Sequence, residues 1–232
     1  MRWLLENNIE NFLGVLERHV NKKNFCLVGG VVIRHHLGDG GRGDFNDLDA
    51  TIEKVSDVSP KVKKDFLIEH FHKVPGEIDN FYFLLGNPSL RKKIDLFDNS
   101  SYPLEWTTIN IGGVEWRARA LENQFAVCVF EARSILNNVP VEEKRIADIE
   151  KMMAIVDPLK AEKTWRGIRW KKEGRVMDVC ERIIETSHKR PDLLTIKKKK
   201  SPYYCNACDR SKSGDYPVDD MGYVYQRMGY LV

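Results

Sequence analysis

The stretch FCLVGGVVIRHHLGDGGRGDFNDLDATIE, Phe25 to Glu53, decides the reading of the chain. An apolar run meets two glycines, a short segment crosses a Gly-rich loop, and two aspartates then bracket a leucine. FCLV reads as a buried strand. After Gly29-Gly30, VVIRHHL reads as a helix with Gly38 as its C-terminal stop. GDGGRGDFN is loop by composition, and DLDATIE is a strand. Side chains alternate faces along a strand, so Asp47 and Asp49 point one way and Leu48 the other, into the core. Two carboxylates on one face repel unless a cation lies between them. Mg²⁺ suits that place, since it takes one or two carboxylates together with substrate phosphates.

The same stretch offers something to hold phosphates. A helix N-terminus presents unpaired N–H groups and partial positive charge, and glycine lets an anion approach the backbone. Gly29 and Gly30 stand at such a strand-to-helix turn. A third acid is supplied by KKIDLFD, where Asp95 lies between core-facing Ile94 and Leu96. If that strand lies beside the one carrying Asp47 and Asp49, three carboxylates converge, as two-metal phosphoryl chemistry requires. The competing readings are a solvent-facing strand edge for Asp47 and Asp49, and an ion pair with Lys92 or Lys93 for Asp95. Asp79 and Asp98 are alternatives to Asp95, although Asp98 falls on the opposite strand face.

Around this core, Leu4, Leu5, Ile9, Phe12, Leu13 and Leu16 recur at helical spacing and predict a helix over residues 3 to 20. A second helix is expected around Pro60 to His72, with Pro at its first turn. NFYFLL and KKIDLFD read as strands separated by the turn GNPS. WTTINIGGVEWRAR reads as a hairpin about Gly112-Gly113. From Leu121 onward, ENQFAVCVFEARSILNN and VEEKRIADIEKMMAIV read as helices split by Pro140, and residues 158 to 189 continue as helix. The end, 190 to 232, is turn-rich. The fold class expected is α/β (α+β): a small mixed β-sheet with flanking helices over residues 1 to 119, then a helical, basic domain with an irregular tail over 120 to 232.

Composition bounds the rest. Among 232 residues, 42% are hydrophobic and 31% charged, ordinary values for a folded protein rather than a disordered one. No apolar run approaches the roughly 20 residues of a membrane span, and the N-terminus lacks a signal-peptide pattern. Five cysteines, an odd number, do not read as a disulfide framework. The cytoplasm is the expected location. The net charge of +3 is uneven: Pro158 to Lys200 holds 14 Lys or Arg against 6 Asp or Glu, which leaves −5 for the remainder. The segment KTWRGIRWKKEGR interleaves Trp165 and Trp170 with positive charge, a composition suited to phosphate contact and base stacking. The alternative is a solvated helix whose Trp residues pack on the core. Cys205-x-x-Cys208 is half of a zinc spacing. Cys180 and His188 are the nearest further donors and lack partner spacing, so two unligated thiols are the preferred reading. His35 and His36, adjacent on a helix, point apart and read as structural.

Gly-Gly after a strand, then DLD, then the single Asp of KIDLFD together resemble the DNA polymerase β-type nucleotidyltransferase superfamily. The resemblance covers roughly residues 25 to 157. It is to the small bacterial members in particular, the abortive-infection and toxin–antitoxin nucleotidyltransferases and the antibiotic-modifying adenylyltransferases. It implies transfer of an NMP from an NTP to an acceptor with release of pyrophosphate. Carried onto this chain, Asp47 and Asp49 would bind two Mg²⁺ ions, and Asp95 would complete the metal site and help deprotonate the acceptor hydroxyl. Gly29 and Gly30 would cradle the β- and γ-phosphates, and Arg42 would steady the triphosphate. The chain departs from the pattern at Arg42, which lies five before the first Asp rather than four. It also has no Lys in FAVCVFEAR, where Lys144 or Lys151 would have to substitute. The expected acceptor is RNA such as tRNA, held by the basic segment 158 to 200, with a neutralising antitoxin as a further expected partner. A cationic antibiotic acceptor and a catalytically silent binding module are the alternatives.

Overall fold

The structure is a computed structural model. It describes residues 9–38, 47–73, 81–87, 90, 92–98, 104–169 and 172–196, with the side chains of 47, 69–73 and 81–83 excepted. The expectations for Leu4, Leu5, Arg42, Asp79, Trp170, Cys205 and Cys208 lie outside this description.

A seven-stranded mixed sheet forms the first half. Its strands are β1 (Cys26–Val28), β2 (Asp47–Ile52), β3 (Leu67–Lys73), β4 (Phe81–Asn87), β5 (Lys92–Asp98), β6 (Trp106–Ile111) and β7 (Val114–Arg119), and they lie in the order β3-β4-β5-β2-β1-β7-β6. β2 pairs with β5 in parallel and with β1 antiparallel, while β1 runs parallel to β7. The hairpin about Gly112-Gly113 forms as read, with Ile111 opposite Val114 and both glycines at positive φ.

Helix α1 (Ile9–Leu16) turns Ile9, Phe12, Leu13 and Leu16 onto one face of this sheet, each 1% exposed or less. There they meet Leu27, Leu48, Ala50, Ile94, Leu96, Trp116 and Ala118. Helix α2 (Gly29–Leu37) leaves the end of β1 and stops at Gly38, whose φ of 65° lets the backbone turn out of the helix.

Helices α3 (Leu121–Ala132), α4 (Glu143–Met153), α5 (Pro158–Gly167) and α6 (Val176–Lys189) enclose a second apolar core with Phe125, Val129, Ile149, Trp165 and Ile183. The short strands β8 (Val141–Glu142) and β9 (Leu194–Thr195) pair in parallel beside it. Among the described residues no helix is long and apolar enough to cross a membrane.

Two expected elements are corrected. The helix read around Pro60 to His72 is only a 3-10 turn, Pro60–Lys64, capped by the Ser59 hydroxyl accepting from the Lys61 N–H, and then strand β3. Leu67 to Lys73 has no strict alternation, and its register with β4 shifts between Ile68 and His70; the pairing with β4, rather than local propensity, sets it as a strand. The helix read across 158 to 189 is broken between Gly167 and Val176. Gly174 there has a φ of 78°, and the indole N–H of Trp165 donates to its carbonyl at 3.1 Å.

Candidate active site

Register places the acids. Asp49 pairs with Asp95 across β2 and β5, and with Val28 across β2 and β1. Residues directly opposite in a ladder share a face, so Asp49 and Asp95 project together from the side of the sheet away from α1. Their neighbours Leu48, Ala50, Ile94 and Leu96 fill the opposite side at 1% exposure or less. Adjacent strands lie about 4.8 Å apart, so two partly exposed carboxylates stand side by side on one strand pair. The backbone of Asp47 pairs with Lys93, two positions upstream.

The glycine turn closes on this pair. Gly29 has a φ of 67°, and a Cβ built on it would lie 2.4 Å from Oδ2 of Asp49. A side chain there would be strained by the backbone and would collide with the carboxylate. Gly29 is therefore required both for the turn and for the close approach of β2. Helix α2 starts at this point, and its N-cap Val28 provides no side-chain hydrogen bond to the first amides. Positive potential from the helix end thus lies beside the carboxylates.

The Gly29 N–H itself is engaged. It donates to Oε1 of Gln124 at 3.1 Å, and Gln124 in turn donates from Nε2 to Sγ of Cys128 at 3.3 Å. Gln124 is 3% exposed, in the first turns of α3. Sequence reasoning passed over it; the only signal is an amide among the apolar residues of ENQFAVCVF. Arg119 was also missed. It ends β7 one residue after Ala118, the partner of Leu27, so it follows Val28 in the same cross-strand row, and it is 4% exposed. Its carbonyl lies 3.1 Å from Nε2 of His36, which gives His36 the structural role expected of it. Burial, with His36 alongside, holds the His35 pKa below its ordinary value.

Among the described residues no group of three or more His, Cys, Asp or Glu side chains is gathered around one metal position. Asp49 and Asp95 are the two carboxylates that the strand register brings beside the glycine turn. Burial pushes the Cys26 thiol up to about 11, against the opposing pull of Arg119 and Arg117, and the Cys180 thiol up to about 12. Burial thus disfavours the thiolate at both positions.

The expectation that Trp165 stacks on bases is corrected. It is 1% exposed and packs edge-on to Phe130, its ring centroid 6.1 Å away. Interleaved Trp and basic residues produced that reading, but helical periodicity turned the indole inward and left Arg166 outside. Lys172 donates to the carbonyls of Ile168 and Arg166 at the end of α5. Burial, with the charges of Arg166 and Arg133, holds its pKa below the ordinary value.

No family model matches the sequence, and no curated relative matches it. Solved structures do. The antibiotic-resistance factor ANT(2'')-Ia is 16% identical with a TM-score of 0.42, over 82% of this chain and 95% of that one. An antigenic nucleotidyltransferase-like protein from Paracoccidioides brasiliensis is 16% identical with a TM-score of 0.42, over 85% and 94%. MenT4, a nucleotidyltransferase toxin from Mycobacterium tuberculosis H37Rv, is 12% identical with a TM-score of 0.46, over 92% and 90%. All three are below 20% identical, with TM-scores under 0.5. At such scores the likeness carries neither activity nor substrate over to this chain.

Proposed function

We propose that this chain is a metal-dependent nucleotidyltransferase, moving an NMP from an NTP to an acceptor hydroxyl. The observation that carries the reading is the register pair Asp49–Asp95 with the Gly29 turn closed against Asp49. A carboxylate pair on adjacent strands, beside a helix end that a Cβ would obstruct, fits Mg²⁺ and a triphosphate together. When bound, Mg²⁺ supplies charge neutralisation at the phosphates.

The chain's own groups then have separate tasks. Asp49, with Asp47, would hold the metal. Asp95 would hold it from the neighbouring strand and accept the proton of the attacking hydroxyl. Gly29 sets the turn, and since its N–H is given to Gln124, the phosphates fall to Gly30 and the amides that follow. Arg42 would add charge against the triphosphate. Residues 1 to 119 would form the catalytic half and the helical half would complete the cleft. The +8 balance of residues 158 to 200 favours an RNA acceptor over a cationic antibiotic.

Incubation of the protein with α-labelled NTPs, Mg²⁺ and total RNA tests this. Label should pass to RNA, stop on chelation, and fall to below about 1% in Asp49→Asn. Nucleotide binding without transfer to any acceptor would leave only a silent binding module.

A further inference from the structure

A recess of about 200 Å³ opens on the sheet, lined by Lys23, Cys26, Glu53, Leu104, Trp106 and Arg117 among others. Cys26, Trp106 and Arg117 share the sheet face of the proposed active centre. Cys26 pairs with Thr51, two positions along from the Val28–Asp49 pair, and Arg117 lies two before Arg119 on β7. Trp106 pairs with Arg119 and so ends the cross-strand row that runs from Asp95 through Asp49 and Val28. Three strand spacings separate Asp49 from Trp106, about 14 Å.

The chemistry of the recess is specific. Trp106 is 48% exposed, an unusual state for an indole on a sheet face. The Arg117 guanidinium lies over its ring, 4.1 Å from the centroid, and donates to the carbonyl of Lys23, which fixes the stack from one side. About half of the Trp106 surface stays exposed beside this stack. Lys23 and Arg117 bring positive charge, and Glu53 adds a hydrogen-bond acceptor beside them. The volume is below the roughly 300 Å³ at which pockets begin to enclose whole drug-sized ligands, so it suits a single planar ring with its anionic attachment left outside.

We propose that this recess is a stacking site for one base of a single-stranded nucleic-acid chain, with Lys23 and Arg117 against the adjoining phosphate. As the place where the acceptor is held, it rests on the nucleotidyltransferase reading above. As a binding site, it does not. An aromatic face backed by a guanidinium and flanked by cations is the arrangement by which single strands are held without sequence preference. A polycationic acceptor would meet Lys23 and Arg117 with like charge and Glu53 alone with opposite charge.

The test is binding of a fluorescent single-stranded oligoribonucleotide in EDTA without NTP, followed by anisotropy across a salt series. Wild type and Asp49→Asn should bind alike. Trp106→Ala should weaken binding roughly five- to a hundredfold, the loss of one stacked base, while Trp106→Phe, which keeps a ring, should restore most of it. Lys23→Gln should lower the slope of log affinity against log salt by about 0.7, one phosphate contact on a single strand. Unchanged affinity in a folded Trp106→Ala protein, or equal losses in the Ala and Phe variants, would overturn the proposal. If Trp106-dependent binding persists while no label is transferred, the catalytic reading falls and the site stands. If transfer proceeds with Trp106→Ala binding normally, the reverse holds.

Discussion

Gly29 joins the local backbone to the acid pair. Its φ of 67° costs an L-residue about 1–2 kcal/mol, and the Cβ of any such residue would lie 2.4 Å from the Asp49 carboxylate. Gly29→Ala is therefore expected to lower the thermal midpoint by about 2–8 °C and to reduce transfer at least tenfold, by displacing Asp49. Gly14 supplies the contrast. It sits inside α1, and a Cβ there meets nothing within 4 Å. Gly14→Ala should raise stability by up to about 1 kcal/mol and leave activity untouched. Calorimetry of both variants beside a transfer assay checks the pair, and a stable, fully active Gly29→Ala protein would contradict the close approach of β2.

At the scale of elements, the strand-to-helix turn is held from another part of the chain. Gln124 reaches from α3 to the Gly29 N–H, so the helical half fixes the geometry of the glycine turn. Gln124→Met keeps the side-chain volume and removes the acceptor. Amide exchange at Gly29 should quicken roughly fivefold, the loss of one net hydrogen bond of about 1 kcal/mol. The KM for NTP should rise while kcat changes less. A core variant of similar stability loss, such as Ile149→Val, should move neither.

Elements with a strong local signal were legible in the sequence: the buried strand before Gly29, the alternation of DLDATI, and the apolar stripe Ile9-Phe12-Leu13-Leu16. The alternation of KKIDLFD makes Asp95 a candidate for the same site, and the β2–β5 register fixes it opposite Asp49. β3 was misread because Pro60 is a valid helix start, and the long-range pairing with β4 that overrides it leaves no local mark. Trp165 was misread because composition cannot distinguish a stacked indole from a buried one. Gln124 escaped notice because its function is a single hydrogen bond to a residue far away in the chain.

At the scale of the molecule, two apolar cores meet at α2. Val31 and Val32 belong to the core under the sheet, and Ile33 belongs to the core between the helices. The helix that begins at the glycine turn is thus clamped from both sides, which keeps its N-terminus aimed past Asp49. Such rigidity is what a site needs if it is to hold charge without reorganising. The most direct test is anomalous diffraction from a crystal soaked with Mn²⁺ and a non-hydrolysable NTP. A Mn²⁺ peak about 2.1 Å from carboxylate oxygens of both Asp49 and Asp95, with the triphosphate against the start of α2, is the predicted result. Metal bound elsewhere, or Asp95 turned away while Asp49 alone ligates, would contradict it.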